Sequence, residues 1–375
     1  MDALELLGGD VQGFLSKVWA SHIHVHHTDP HDLVGLLSVD DVDHLLTSTA
    51  LRAPALRIAK DGDVVPTSKF TRSATLAGQP LTGLVDGRKV LRLFDEGASV
   101  VLQGLHRYWP PITALVRDLE LTLGHPCQAN AYLTPPGCQG FAVHSDSHDV
   151  FVFQTHGTKM WEVHDDAGVR EVLLEPGVSM YLPTGTPHAA RAQETASLHV
   201  TIGINQVTWR DLLKQVTADL LDDQQYDGRL PAGYTADASS LAEHLREHLQ
   251  ALSVHLVNQE PEQLADEQAA RFLTGRNPQL RGSLTDRLRL DGLDDDTLLV
   301  RRPGSVCRLS PKTDRLRVLL GDRELAMPSR LLPPMQLIRD QDRLRPADLA
   351  TWLDHESRLV LTRRLVREGL LQVDG

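Results

Sequence analysis

The sequence predicts an α+β protein: a β-sandwich or barrel flanked by helices. Three observations carry this. Between about Val90 and Ile204, short apolar runs rich in Val, Phe, Tyr and Ile are separated by Gly and Pro turn signals, the grammar of strands in a sandwich or barrel. After Val207 that alternation stops, and leucines and alanines recur at helical spacing. The length of 375 residues exceeds one ordinary domain and predicts two or three.

Taken in order, Val11 to Trp19 and Val39 to Thr47 read as short helices, the second capped by Ser38 with Asp40 and Asp41 at its positive end. The runs GASVVLQGL, QANAYLTPPG, DVFVFQTHG, KMWEVHD, GVSMYLPTG and SLHVTIGI then read as strands. Trp209 to Leu221, Ser239 to Val257 and Pro261 to Phe272 read as helices. In the second of these, Leu241, Leu245, Leu249, Leu252 and Leu256 form one stripe, either an intrachain core or a seam between two copies of the chain. The remaining short strands, two helices and final apolar run, ending SRLVLTRRLVREGLL, look like a winged-helix unit. The expected domains are therefore 1–207, 208–290 and 291–375.

The charge is uneven. Residues 301–375 hold 15 Lys and Arg against 10 Asp and Glu, whereas residues 1–300 hold 23 against 40; the sign changes near the acidic stretch Gly292 to Asp296. A net charge of -12 argues against a chain built throughout to coat a polyphosphate and suits a basic partner. Cys127, Cys138 and Cys307 form neither a disulfide framework nor a CxxC pair. The opening MDALELLGGDVQGF lacks the basic and apolar regions of a signal peptide, so the expected location is the cytoplasm.

The strongest chemical constellation is His144-Ser145-Asp146 followed by His188. On a strand, residues two apart share a face, so His144 and Asp146 would offer an imidazole and a carboxylate side by side. His188 follows a turn containing Pro183, Gly185 and Pro187, which would fix a third ligand on a neighbouring strand. Two histidines and a carboxylate leave coordination positions open, the facial arrangement of non-haem Fe(II) oxygen chemistry; a closed structural zinc site uses four ligands. The sequence SHIHVHHTDPH offers a competing cluster, His22, His24, His26, His27 and His31, read as exposed or incidental because no further ligand is evident.

Gly177, Pro183, Gly185 and His188 match the second motif of the cupin superfamily, GxxxxxPxGxxH, with Ala192 in place of the usual trailing Asn. Asp146 replaces the second His of many cupins and points toward 2-oxoglutarate oxygenases. NAYLTPPGCQGFAVHSDSHDVFVFQTHGTKMWEVH, with LPTGTPHAA and SLHVTI, resembles the JmjC-type ribosomal oxygenase family of protein hydroxylases. That resemblance runs through most of the chain. It implies a double-stranded β-helix (jelly-roll, cupin) barrel, a helical dimerisation segment and a C-terminal winged-helix domain. It places Fe(II) on His144, Asp146 and His188, and the distal carboxylate of 2-oxoglutarate on Lys159, with Asn130 and Tyr132 lining the same pocket and O2 as co-reactant.

The residues support this separately. Lys159 lies one hairpin from His144 if Gly157-Thr158 forms the turn, and a lysine aimed into a barrel is costly unless an anion compensates it. His199 and Thr201 would also face inward, as core or as cosubstrate contacts. The leading function is thus an Fe(II)- and 2-oxoglutarate-dependent hydroxylase of a protein or peptide side chain, with histidine or arginine of a ribosomal protein as candidate targets, acting as a homodimer. Alternatives within the same chemistry are a hydroxylase of natural-product peptides or amino acids and an N-methyl demethylase. From another class comes a metal-binding sensor coupled to a winged-helix DNA reader, which would use Arg358, Arg363, Arg364 and Arg367; Asp354, Glu356 and Glu368 among them argue for a solvated or interface face instead.

Overall fold

The structure, a computed structural model, describes residues 2–60, 62–138, 143–165, 168–191 and 194–374. Two compact units, Met1–Gln206 and Val207–Gly375, divide the chain. No helix among the described residues is long and apolar enough to cross a membrane.

The first unit contains β1 (His24–His27), β2 (Leu56–Lys60), β3 (Asp63–Val64), β4 (Thr71–Leu76), β5 (Gln79–Val85), β6 (Ser99–Leu102), β7 (Cys127–Thr134), β8 (Asp149–His156), β9 (Lys159–Asp165), β10 (Gly168–Leu174), β11 (Val178–Leu182), β12 (His188–Arg191) and β13 (Ser197–Ile204). An eight-stranded sheet runs β1-β11-β8-β13-β7-β6-β2-β3, and a three-stranded sheet β10-β9-β12 forms beside it. Every strand run expected between Val90 and Ile204 is present. The ladders are antiparallel, as in the cupin-type fold the sequence resembles.

Alternation explains why β8 reads as an unbroken apolar run. Phe151 and Phe153 point to one face and join the core built with the helices, including Leu4, Leu7, Phe14, Ile112 and Leu119. Val152 points to the other and packs with Trp161, Val163, Leu174, Met180 and Leu182 between the sheets. Both faces of the strand are therefore buried. Phe14 stacks on Phe151 at 5.5 Å and meets Tyr181 edge-on at 5.0 Å. Burying such a ring contributes roughly 1.5–3 kcal/mol, and removing it costs about 3–5.

One local expectation changed. Gly157-Thr158 does connect β8 to β9, but the strands do not pair as a hairpin; the link carries the chain from the large sheet to the small one. Gly157 has φ +62°, and a Cβ there would lie 1.9 Å from the Ala196 carbonyl oxygen, so the crossing needs glycine. The N-terminal histidines form no metal cluster among the described residues. His24 to His27 instead make edge strand β1 against β11, with His24 Nε2 bonded to the Gly8 carbonyl at 3.0 Å. The helix Val39–Thr47 follows expectation, capped by a reciprocal pair: the Ser38 hydroxyl accepts from Asp41 N–H while the Asp41 carboxylate accepts from Ser38 N–H.

In the second unit, helices Trp209–Leu221, Ser239–Val257 and Pro261–Thr274 occupy the positions their spacing predicts. No residue of Ser239–Val257 is buried, and Leu245 and Leu249 are 51% and 56% exposed, so the stripe is not an intrachain core. Beyond it, β14 (Leu299–Arg301), β15 (Arg308–Pro311), β16 (Arg315–Leu319), β17 (Glu324–Pro328), β18 (Arg343–Leu344) and β19 (Leu371–Val373) form two small sheets. They enclose a core with helices Leu332–Asp340 and His355–Arg367. Arg358, Arg363 and Arg364 of the last helix are engaged. Arg358 pairs with Asp295 rather than with Asp354, which caps the helix through Ser357 N–H; Arg364 pairs with Glu368 at 2.6 Å; Arg363 donates to the Leu293 carbonyl. The acidic stretch near Asp295 is thus tied into this core.

Candidate active site

The site forms where the end of the large sheet meets the small one. His188 opens β12, and Val163 of β9 pairs with it. The turn before His188 is held from below. Asp149, 1% exposed at the start of β8, accepts from Thr184 N–H at 2.6 Å, from the Thr184 hydroxyl at 2.7 Å and from the Tyr181 hydroxyl. Tyr181 in turn accepts from Ala20 N–H, and burial followed by its bond to Asp149 raises its phenol well above the usual range, so it stays a donor. Sequence reading overlooked Asp149; its signal was an acid heading the apolar run DVFVF.

His144 and Asp146 do not lie on a regular strand as expected. They occupy an irregular segment pinned by a bridge, His144 N–H to His188 O at 3.0 Å and His188 N–H to His144 O at 2.8 Å, while Gly185 N–H donates to the Asp146 carbonyl at 3.0 Å. The three side chains nonetheless come together. Ligand atoms of His144, Asp146 and His188 all fall within 4.8 Å of one another, the one such group among the described residues. His188 Nδ1 sits 2.9 Å from the Thr186 carbonyl, which makes Nδ1 the protonated nitrogen and leaves Nε2, 3.7 Å from Asp146, with a lone pair facing the cluster. Burial, with His144 beside it, lowers the His188 pKa and favours the neutral ring that a metal requires.

Behind the triad is a cavity of about 300 Å³ between the sheets. Lys159, 2% exposed at the head of β9, lines it, and burial lowers its pKa to about 8. No carboxylate among the described residues pairs with it. Asn130 and Tyr132 of β7 also line the cavity, as do His199 and Thr201 opposite them on β13. The Asn130 side-chain Oδ1 accepts from Gly104 N–H, which fixes the amide, and Tyr132 stacks on His199 at 4.9 Å. Burial, then Lys159, pushes His199 well below its usual pKa, so it is neutral. Trp161 Nε1 and His199 Nδ1 are buried with no hydrogen-bond partner among the described residues.

Sequence reading also overlooked Arg57, Trp161 and His148 in this cavity. His148 passes so close to β13 that a Cβ on Gly203 would sit 2.4 Å from its Nε2. The arrangement presents three metal-ligating groups at one end and an uncompensated buried cation with idle polar atoms at the other. A dianion that chelates a metal through one end and reaches Lys159 with the other answers both.

Residues 112–170 and 164–212 match the family model of the JmjC domain. Among curated proteins, the chain is 34% identical over 197 residues to the bifunctional lysine-specific demethylase and histidyl-hydroxylase NO66 of Branchiostoma floridae, covering 48% of this chain and 32% of that protein. It is 33% identical over 147 residues to ribosomal oxygenase 1 of Rattus norvegicus, covering 33% of this chain and 25% of that protein. The matches thus span about a third or less of these relatives' length. Among solved structures, the ribosomal oxygenase YcfD of Escherichia coli superimposes with a TM-score of 0.56 at 18% identity, covering 98% of this chain and 99% of that one. A second YcfD structure, in complex with cobalt and 2-oxoglutarate, gives a TM-score of 0.54 at 19% identity. At such identity the likeness establishes the fold.

Proposed function

We propose that this chain, which carries a JmjC domain, is an Fe(II)- and 2-oxoglutarate-dependent oxygenase that hydroxylates a side chain of a protein or peptide. The observation that carries the reading is the pairing of the three-ligand cluster with the buried Lys159, which has no carboxylate partner among the described residues, across one cavity. The donor set fits the metal: two imidazoles and one carboxylate suit Fe(II) and leave coordination sites open. Bound there, Fe(II) supplies the oxygen chemistry by which 2-oxoglutarate and O2 become succinate and CO2 while the target gains hydroxyl.

The chain's own residues bind and orient. Lys159 holds the distal carboxylate, where a charge-assisted hydrogen bond in a water-poor site is strong. Trp161 Nε1–H and the neutral His199 stand beside it with polar atoms to contribute, and Asn130 and Tyr132 form the wall. Thr186 fixes the His188 tautomer, and Asp149 fixes the turn that delivers it.

The excess of acid over base in residues 1–300 favours a basic polypeptide, drawn in by long-range attraction that weakens with salt. A ribosomal protein answers that description and agrees with the names of the relatives. We read residues 208–290 as a dimerisation segment, since its leucine stripe is exposed, and 291–375 as a winged-helix domain in a cytoplasmic homodimer. A DNA-reading role is not favoured, because Arg358, Arg363 and Arg364 are already engaged.

The test is 2-oxoglutarate turnover with iron and ascorbate in the wild type, His144→Ala, Asp146→Ala and Lys159→Ala. The triad variants should form no succinate and Lys159→Ala should raise the 2-oxoglutarate KM at least about tenfold. Succinate formation persisting in the triad variants would sink the mechanism.

A further inference from the structure

The second unit carries an open strand edge beside an apolar groove, and the oxygenase reading uses neither. In the sheet β15-β16-β17, β17 pairs on one side alone. The hairpin closes where Leu320 N–H donates to the Arg323 carbonyl, and the register then turns the main-chain polar groups of Leu325 and Met327 toward Val318 and Leu316. Those of Glu324 and Ala326 point the other way and have no main-chain partner among the described residues. Ala326 stands at the centre of that edge, and its side chain is too small to screen the backbone.

A groove of about 700 Å³ is bounded by β17 on one side and by helix His355–Arg367 on the other. Trp352, Leu353, Val360 and Leu361 supply apolar surface to it; Trp352 is 44% and Val360 60% exposed, large apolar groups left to water. Most of its charges are already spent: Glu324 on Arg317, Arg364 on Glu368, and Asp354 on the Ser357 N–H. Arg330 lines the groove from the turn just after Pro328, at the Met327 end of the edge, and has no ion-pair partner among the described residues.

We propose that this groove takes an extended segment of a partner protein, added to β17 as a further strand. Another main chain offers donors and acceptors at the alternate spacing that Glu324 and Ala326 present. On such a strand every second side chain lies on the face of Leu325 and Met327, toward the apolar wall of the groove, so the segment has apolar residues two apart. Arg330 calls for an acidic residue beside them. The partner is thus recognised by an alternating apolar and polar stretch flanked by a carboxylate. This concerns the second unit and makes no use of the metal site, so it stands or falls apart from the oxygenase reading.

The test titrates the full-length protein calorimetrically with the peptide acetyl-Asp-Thr-Val-Thr-Val-Thr-Asp-amide, with a counterpart carrying Lys for both Asp, and with two N-methylated forms, one methylated at the Val amides and one at the Thr amides. The wild type should bind the Asp peptide about fivefold more tightly than the Lys peptide, as an exposed ion pair contributes. A strand turns alternate amides to its neighbour, so one methylated form should lose about tenfold in affinity and the other should not. Ala326→Pro removes an outward N–H and no bond to β16; it should weaken the Asp peptide about tenfold while hydrogen exchange at the β16 amides stays as in the wild type. Arg330→Glu should reverse the preference between the Asp and Lys peptides. No saturable binding of the Asp peptide up to about 1 mM, or loss in both methylated forms or in neither, would overturn the proposal. So would a peptide that binds Ala326→Pro as well as it binds the wild type. An Asp-over-Lys preference unchanged by Arg330→Glu would overturn the call for an acidic residue. If no peptide binds and Ala326→Pro lowers the association state of the chain in sedimentation, a second copy covers the edge and the proposal falls.

Discussion

Replacing Lys159 with methionine keeps most of the side chain's volume and removes its charge, and the geometry predicts opposite effects on stability and on cosubstrate binding. In the ligand-free protein burial lowers the lysine pKa from 10.5 to about 8. Each tenfold change in proton affinity corresponds to about 1.4 kcal/mol, so holding this charge inside costs the folded state about 3 kcal/mol. Below pH about 8 the lysine is charged in both folded and unfolded chains and the whole cost is present. Between about 8 and 10.5 the folded protein has released the proton while the unfolded chain keeps it, so wild-type stability rises with pH and the cost fades. Lys159→Met should therefore stabilise the ligand-free protein by up to about 3 kcal/mol at pH 7, with a gap that narrows as pH rises. Saturating 2-oxoglutarate should stabilise the wild type and leave the variant unmoved. Urea denaturation, followed by hydrogen exchange at the amides of β8 and β9, reads the barrel unit directly. A variant no more stable than the wild type at pH 7, together with unchanged 2-oxoglutarate affinity, would refute the claim that Lys159 is a buried charge awaiting an anion.

Two further predictions concern support and assembly. Asp149→Ala leaves the buried Tyr181 hydroxyl and the Thr184 amide without their acceptor and should destabilise the barrel by about 3 kcal/mol; titration with Mn(II) should show metal affinity reduced about tenfold, as expected when a group that orients a ligand is lost. Leu245→Glu combined with Leu249→Glu should convert a dimer to a monomer in analytical ultracentrifugation while leaving the barrel's thermal transition within about 1 kcal/mol of the wild type, because neither leucine is buried within its own chain.

The features legible in the sequence are those with a short period or a short motif. β8 and β13 could be read because they are continuous apolar runs closed by turn residues, and helix Val39–Thr47 because its cap and its inward residues lie within ten positions of one another. His144, Asp146 and His188 could be read because two are neighbours and the third follows a distinctive Pro-Gly turn. β2 and β10 escaped, since LRIAK and GVREVLL mix charge with apolar residues much as a helix does. Arg57 escaped for another reason. It meets Tyr132 only through the ladder β2-β6-β7, a pairing between segments 75 positions apart that local pattern does not encode. The Gly157-Thr158 link shows the remaining limit: the turn was visible, but whether its strands pair or part company depends on the sheets they join.

The main-chain bridge between His144 and His188 bears on what the site can tolerate. Because two backbone hydrogen bonds tie the ligand-bearing segments together, and a third runs from Gly185 to Asp146, the separation of the three donors does not depend on the length of chain leading from β7 to Val143. Geometry held by main-chain bonds is indifferent to side-chain identity, so the spacing of the donors survives side-chain substitution wherever those three bonds are kept.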